Sequence, residues 1–311
     1  MQNIRSYFNF VMEQPLISII FCSISPERYA KCADNIKETI GIPVELVRID
    51  NRLHQWSIAR AYNEGAKMST SDCLLFLHED VKFEHYGWGQ PLIDKLKEPS
   101  TGVVGFIGSK NFVDAVSPWC PTGRYYGHVL SSKDNHIEVM RYHSLDEDHT
   151  EQFIHVVVVD GLGMAVRKGV WLDHPFDEEM LTGFHCYDID FSLSIAAAGY
   201  ENYAYTWGIM HFSHGSYDEK WLETTYKLLV NKWHPMLPIS VNDSDDNNFD
   251  EIAATQDYDH IFRFFRRGIS KSLAQKMLRR YLHKARHSKY YRSHLFVVLW
   301  TYLRKYAFKN G

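Results

Sequence analysis

The sequence predicts an α/β protein, a mostly parallel sheet flanked by helices and followed by a basic helical appendage. Three observations carry this. Short apolar runs alternate with segments of helical spacing through the first hundred residues. One run, Cys73–Leu77, is apolar throughout and breaks into His78-Glu79-Asp80, as a strand buried on both faces would at its end. Charge is also divided: of 34 basic residues, 14 fall between 261 and 311, where there is no Asp or Glu, leaving 20 to face all 38 acidic ones.

The elements follow in order. Leu16–Cys22 reads as a first buried strand after Pro15, Ser23–Pro26 as a turn, and Glu27–Thr39 as a helix. Pro43–Ile49 is a second strand running into Asp50-Asn51, and Trp56–Met68 has apolar residues at helical spacing. With the strand that begins near Ser71, this repeats a βα unit and implies a parallel sheet. Ligands of such sheets bind beyond the carboxyl ends of the strands. His78, Glu79 and Asp80 therefore stand where chemistry is done, and imidazole and carboxylate are ligands for divalent cations, which hold phosphates. Taken alone, the three residues fit an acidic surface turn equally well.

Trp88–Leu96 reads as a helix and Thr101–Ile107 as a strand. Residues 111–150 are turn-rich and aromatic, and read as a loop lining a site, with Trp119 and Tyr125 placed to face that site or to pack the loop. Phe153–Val159 is a buried strand ending in Asp160-Gly161-Leu162-Gly163, and Met164–Trp171 returns to alternation. Asp188-Ile189-Asp190 opens a helix closed by Gly199. Acidic residues in a first turn complement the helix dipole, which accounts for Asp190; Asp188 precedes the helix and can face a cavity. Tyr203–Ile209 is a strand that leads to His211 and His214, which suit metal ligands or ordinary loop histidines.

No GxGxxG follows the first strand, so a dinucleotide fingerprint is absent, and a Walker loop is absent too. The five cysteines are scattered without a CxxC pair, as expected of reduced thiols in a cytoplasmic protein. No run has the length of a membrane span, and the N-terminus lacks a signal-peptide core. The expected organisation is a domain over 1–240, an acidic linker over 241–260 with seven acidic residues and no Lys or Arg, and a basic amphipathic tail over 261–311. That tail fits an anionic membrane surface, making the protein peripheral, or docks on the acidic body. No nucleic-acid module accompanies its charge.

Taken together these features resemble a family 2-type glycosyltransferase with the GT-A fold, over roughly Pro15 to Pro235. The opening strand ISIIFCSIS resembles the family's nucleotide-facing strand and turn, with Ser23 and Ser25 toward the donor. Asp50 matches the acidic residue that contacts the base, and Ala61–Gly65 resembles an Arg-Asn-x-Gly segment, which implies Asn63 and Arg60 as donor contacts. LLFLHED resembles the strand and DxD motif that hold metal and diphosphate. Tyr187–Phe191 resembles the segment whose first Asp is the catalytic base. Histidine replaces the first Asp of DxD, so the resemblance implies Asp80 as the metal ligand, joined by His211 or His214, with His78 and Glu79 on the donor. The HED and YDIDF forms resemble a divergent bacterial branch.

The implied chemistry is metal-dependent transfer, with Mn²⁺ or Mg²⁺, from a UDP-, GDP- or dTDP-linked sugar to a glycan or lipid-linked acceptor in polysaccharide biosynthesis. Asp188 would be the single base of an inverting reaction, and Asp160 would grip the donor sugar or the acceptor. The alternatives are a sugar nucleotidyltransferase, which would carry a Gly-rich basic loop where Ser23–Tyr29 has only Arg28, and a non-catalytic nucleotide- or sugar-binding module.

Overall fold

The structure, a computed structural model, describes residues 14–133, 136–141, 151–213, 215, 217–241 and 248–307. Its first half repeats strand and helix as the periodicity requires. β1 (Ile17–Ser23) is almost wholly buried, and α1 (Pro26–Thr39) follows it, with Pro26 at its first position and the Ser25 hydroxyl accepting from Arg28 N. β2 (Val44–Asp50) leads through the short α2 (Asn51–His54) to α3 (Ile58–Met68), capped by Ser57. α3 lies directly on the sheet at Gly65, where a Cβ would come within 2.3 Å of Ile20 Cγ2. β3 (Cys73–Leu77) has every residue buried.

Next come β4 (Val81–Phe83), α4 (Gly89–Leu96), β5 (Thr101–Gly105) and β6 (Ile107–Ser109). β7 (Asn111–Phe112), β8 (Tyr126–Lys133) and β9 (His136–Arg141) lie in the stretch read as loop, β8 and β9 pairing as an antiparallel hairpin. After them are β10 (Phe153–Val156), β11 (Val158–Val159), β12 (Gly163–Arg167), α5 (Lys168–Asp173), α6 (Tyr187–Ala197), β13 (Glu201–Tyr205), β14 (Ile209–His211), α7 (Glu219–Leu228) and β15 (Ile239–Ser240). A π-helical turn, Leu229–Trp233, extends α7. Three helices close the chain: α8 (Phe249–Arg267), α9 (Lys271–His287) and α10 (Lys289–Tyr306).

The main sheet has the order β10-β13-β5-β12-β3-β1-β2. β2, β1, β3, β5 and β13 share one direction, while β12 and β10 run against them. The fold is the expected α/β class with a largely parallel sheet between helices. β12 is reversed because the tight Asp160–Leu162 turn returns the chain beside β3, with His78 N donating to Leu162 O at 3.0 Å.

Three runs expected as single strands each break in the middle. Thr101–Ile107 divides into β5 and β6, Phe153–Val159 into β10 and β11, and Tyr203–Ile209 into β13 and β14. In each case the first half stays in the main sheet and the second crosses to another, of order β11-β6-β8-β14-β4. Apolar periodicity does not reveal such a bend, since both halves are buried. Its effect is to fold β14 back over the carboxyl end of β3, antiparallel to β4, with His211 opposite Val81.

The acidic stretch expected as a linker is helical in its second part. Asn248 caps α8, which runs from Phe249 across residue 261 without a break. Ile261, Phe264, Phe265, Leu273, Met277 and Tyr281 are buried in the same apolar cluster as Phe191, Trp221 and Leu222 of the body. Asp257, fully buried, accepts from Val116 N at 2.7 Å and from the Tyr291 hydroxyl at 2.6 Å. No described helix is long and apolar enough to cross a membrane.

Candidate active site

Strand register brings the predicted residues to one edge. Ser23 and Asp50 are paired at the carboxyl ends of β1 and β2, and Phe21 pairs with Leu77, so the segment 78–80 emerges beside them. Gly163 also pairs with Leu77, which sets the Asp160–Leu162 turn against His78. β14 contributes His211 from the second sheet, with Phe212 N donating to Asp80 O at 3.0 Å.

His78, Asp80 and His211 form a cluster whose ligand atoms lie within 4.8 Å of one another. His211 Nε2 is 3.5 Å and His78 Nδ1 3.9 Å from Asp80 Oδ1. Burial alone would raise the Asp80 pKa, but the hydrogen bond and charge of His211, with the charge of His78, hold it well below the usual carboxylate range. Burial would lower the His211 pKa, and the Asp80 carboxylate reverses this and raises it. Burial, and then the neighbouring His211, lower that of His78.

Tyr187 decides which face of His78 is available. Its hydroxyl donates its one proton to Gly161 O at 3.0 Å, so its oxygen accepts from His78 Nε2 at 2.7 Å. The Nδ1 lone pair of the neutral ring is then free on the side toward Asp80. Residue 161 has to be glycine for this contact, since a Cβ there would sit 2.2 Å from the Tyr187 hydroxyl. Two imidazoles and an ionised carboxylate make a donor set suited to a Mn²⁺-class cation, and both histidines line a cavity of about 520 Å³.

Asp160 and Asp188 line the same cavity. Asp188 lies in the first turn of α6 and accepts from Gly161 N at 3.2 Å. Burial, and the negative charge of Asp160 beside it, push the Asp188 pKa up to about 7. The turn that presents it is strained: Cys186, the N-cap of α6, has φ 64° without being glycine. Asp190, one step further, points away from the cavity into the protein, bonded to Lys232 Nζ and Trp233 Nε1, each at 2.9 Å. Trp119, Tyr125, Phe184, Tyr217 and Trp221 supply aromatic wall.

Other predicted positions are placed differently. Glu79 is turned back onto the first turn, where Oε1 accepts from Ile24 N and Ser25 N at 3.2 and 2.9 Å, so it braces β1 instead of facing the cavity. Asn63 is buried and holds the chain after α5, donating to Phe176 O and accepting from Phe176 N and Trp171 Nε1. Ser23 accepts from Arg48 Nε at 3.0 Å. Asp50 is held at about 2 by Arg52, which bonds it at 2.8 and 2.5 Å. Arg60 is exposed, its guanidinium 4.7 Å from the Trp56 ring centre. His214 lies outside the described residues. Tyr187, Ser213, which bonds His211 Nε2 at 3.1 Å, and the strained Cys186 were not marked by the sequence. Only the hydroxyl after His211 carried a local signal.

Residues 18–229 match the model of a family described as "Glycosyltransferase like family". The chain belongs to this family. The match spans every residue of the cluster and the cavity carboxylates while ending before α8. No curated protein matches the chain by sequence. Among solved structures, the crystal structure of GalNAc-T7 with UDP, GalNAc and Mn²⁺ is similar in fold, with a TM-score of 0.50 at 9% identity over 93% of this chain and 58% of that one. At that identity the likeness is one of fold, GT-A, and the chain spans 58% of the length of that protein.

Proposed function

We propose that this glycosyltransferase takes a sugar from a nucleoside diphosphate donor and transfers it, with inversion, to a hydroxyl of a glycan or lipid-linked acceptor. The observation that carries the reading is that the two histidines of a candidate cation trio and a carboxylate with a raised pKa line one cavity. GalNAc-T7, similar in fold, was crystallised with UDP and Mn²⁺, and a nucleotide and a divalent cation of that kind suit this cavity.

His78 Nδ1, Asp80 and His211 Nε2 would hold Mn²⁺ or Mg²⁺, whose charge offsets that of the departing diphosphate. Asp160 faces the sugar or acceptor hydroxyls. Asp188, once ionised, takes the proton of the acceptor hydroxyl while that oxygen bonds to the anomeric carbon. The bond from that carbon to the diphosphate breaks, and the nucleoside diphosphate leaves with the electron pair. A carboxylate with a pKa near 7 is a better base than an ordinary one and is still half ionised at neutral pH. One base with no second nucleophile assigned is the basis for inversion. The basic C-terminal helices would bring the enzyme to an anionic membrane, where a lipid-linked acceptor resides.

The test is calorimetry with UDP, GDP and dTDP, with and without Mn²⁺, beside transfer assays on two variants. Asp80→Ala is expected to abolish metal-dependent nucleotide binding. Asp188→Asn is expected to keep that binding and to lose about 10²-fold or more in transfer rate. No nucleotide binding under any condition would leave a non-catalytic module, and near-normal transfer by Asp188→Asn would remove it as base.

A further inference from the structure

The matched family region ends at residue 229, so α8–α10 are described by the structure alone. α10 buries Tyr291 and Val298 against the other helices. Its opposite face is open over its full length and is apolar in the middle. Phe296 is 77% and Trp300 53% exposed, with Val297 and Leu303 also on this side. The spacing of 296, 300 and 303 puts them in one stripe. Arg292 and Arg304 lie on the same exposed face, at its two ends. Other exposed large apolar side chains are scattered over several elements, whereas α10 gathers four in a row.

The surroundings of this stripe are cationic. A groove beside Trp300 is lined by Phe262, Arg266, Thr301, Arg304 and Lys305. In the adjoining groove one carboxylate, Asp259, meets Arg263, Arg266 and Arg267. From 261 to the end of the chain there are 14 Lys and Arg and no acidic residue. An apolar stripe with an aromatic centre and arginines at its ends matches the boundary between acyl chains and headgroups, where Trp is favoured and Arg reaches the phosphates.

We propose that the outer face of α10 docks on an anionic lipid bilayer, with Phe296 and Trp300 entering the headgroup–acyl boundary and Arg266, Arg304 and Lys305 meeting lipid phosphates. This deepens the reading of a lipid-linked acceptor and rests on that reading for its purpose, though not for the binding itself. The face is also joined to the cavity wall. The Tyr306 hydroxyl at the end of α10 accepts from Ile269 N at 2.9 Å, Ser270 N donates to Glu219, and Arg267 Nη1 donates to O of Tyr217, which lines the cavity.

The experiment is flotation of the full-length protein with vesicles of phosphatidylcholine alone or of equal parts phosphatidylcholine and phosphatidylglycerol. The wild type is expected to float with the anionic vesicles only and to be released by salt. Phe296→Ser with Trp300→Ser, and separately Arg292→Glu with Arg304→Glu, are expected to weaken flotation about tenfold or more. All four positions are exposed, and the melting temperature of each variant checks that the fold is kept. Flotation of either variant like the wild type, or equal binding to neutral vesicles, overturns the proposal. So does a wild type that ignores vesicles but dimerises in a concentration-dependent way that Phe296→Ser with Trp300→Ser abolishes, since the face then belongs to a second copy. Mn²⁺-dependent UDP binding, followed in the same samples, reports separately on the catalytic reading.

Discussion

Asp160 matters less for what it holds than for what it does to Asp188. The two carboxylates share a cavity, and the charge of Asp160 adds to burial in raising Asp188 to about 7. Between the ordinary carboxylate range and that value, Asp188 is protonated in the folded chain and ionised in the unfolded one. The folded state then binds more protons, so this group's contribution to stability falls as pH rises through the window. With Asp188 as the proposed base, activity runs the other way, because only the ionised form can accept a proton. The acidic limb of kcat/KM is expected near pH 7, and Asp160→Asn is expected to move it to lower pH by removing one of the two causes. An unmoved limb would show that Asp160 does not tune the base. Tyr187 acts on the histidine end of the site. Tyr187→Phe keeps the ring and loses the hydroxyl that holds His78 Nε2, so Mn²⁺ affinity by calorimetry is expected to fall about 10–100-fold with the fold retained; unchanged affinity would mean that the His78 ring orients itself. At this scale the sequence was a partial guide. Asp80, Asp160, Asp188 and His211 follow strand ends or open a helix, positions that periodicity marks. The Tyr187–His78 bond joins residues 109 apart, and no local pattern encodes it. Glu79 and Asn63 carry suitable groups but point into the protein, a difference of side-chain direction that spacing does not show.

At the scale of elements, two carboxylates on one helix have separate duties. Asp188 looks into the cavity, while Asp190 joins α6 to the π-helical turn that ends α7 through Lys232 and Trp233. Burial tends to raise the Asp190 pKa, and the Lys232 bond keeps this in check. Removing the carboxylate leaves the Trp233 indole N–H unpaired and the half-buried Lys232 ammonium with Asp177 alone. Asp190→Ala is therefore expected to cost about 2 kcal/mol in urea unfolding, whereas Asp188→Asn, which relieves repulsion, leaves stability unchanged or higher above pH 7. Similar stabilities for the two variants would argue against this division. α1, α3, α4, α6 and the first three strands were legible because each is a helical period or a bounded apolar run, and α1 and α3 start at a serine cap, whereas α5 and α7 were not marked. The broken strands were not. Both halves of each are apolar and buried, and the point where the chain leaves one sheet for another is set by pairing partners far away in sequence. The hairpin of β8 and β9 was hidden by the turn-rich residues before it.

The charge asymmetry read as a basic tail on an acidic body is partly spent inside the molecule. Arg280 and Lys284 of α9 reach Asp114 of the body, and Lys284 lies 3.6 Å from the buried Asp257. The basic segment thus spends part of its charge on the acidic body, while Arg292 and Arg304 on the outer face of α10 stay exposed. Docking on the body and contact with a membrane are compatible, because they use opposite faces of the same helices. This has a consequence for any attempt to separate the two halves. Six large side chains of α8 and α9 sit in the main apolar cluster, and burial of each is worth about 1.5–3 kcal/mol. Their sum reaches the whole stability of an ordinary domain, about 5–15 kcal/mol. A chain ending at residue 260 would also expose Trp221, which stacks on Phe264, and would leave Asp114 and Asp257 without their cations. It is expected to be insoluble, or to bind a hydrophobic dye without a cooperative thermal transition, whereas Phe296→Ser with Trp300→Ser melts as the wild type does. A truncated protein that unfolds cooperatively and binds nucleotide with Mn²⁺ would show that the helices are an addition to a finished fold, and the Trp221–Phe264 contact would then be an accessory to the cavity wall and not its support.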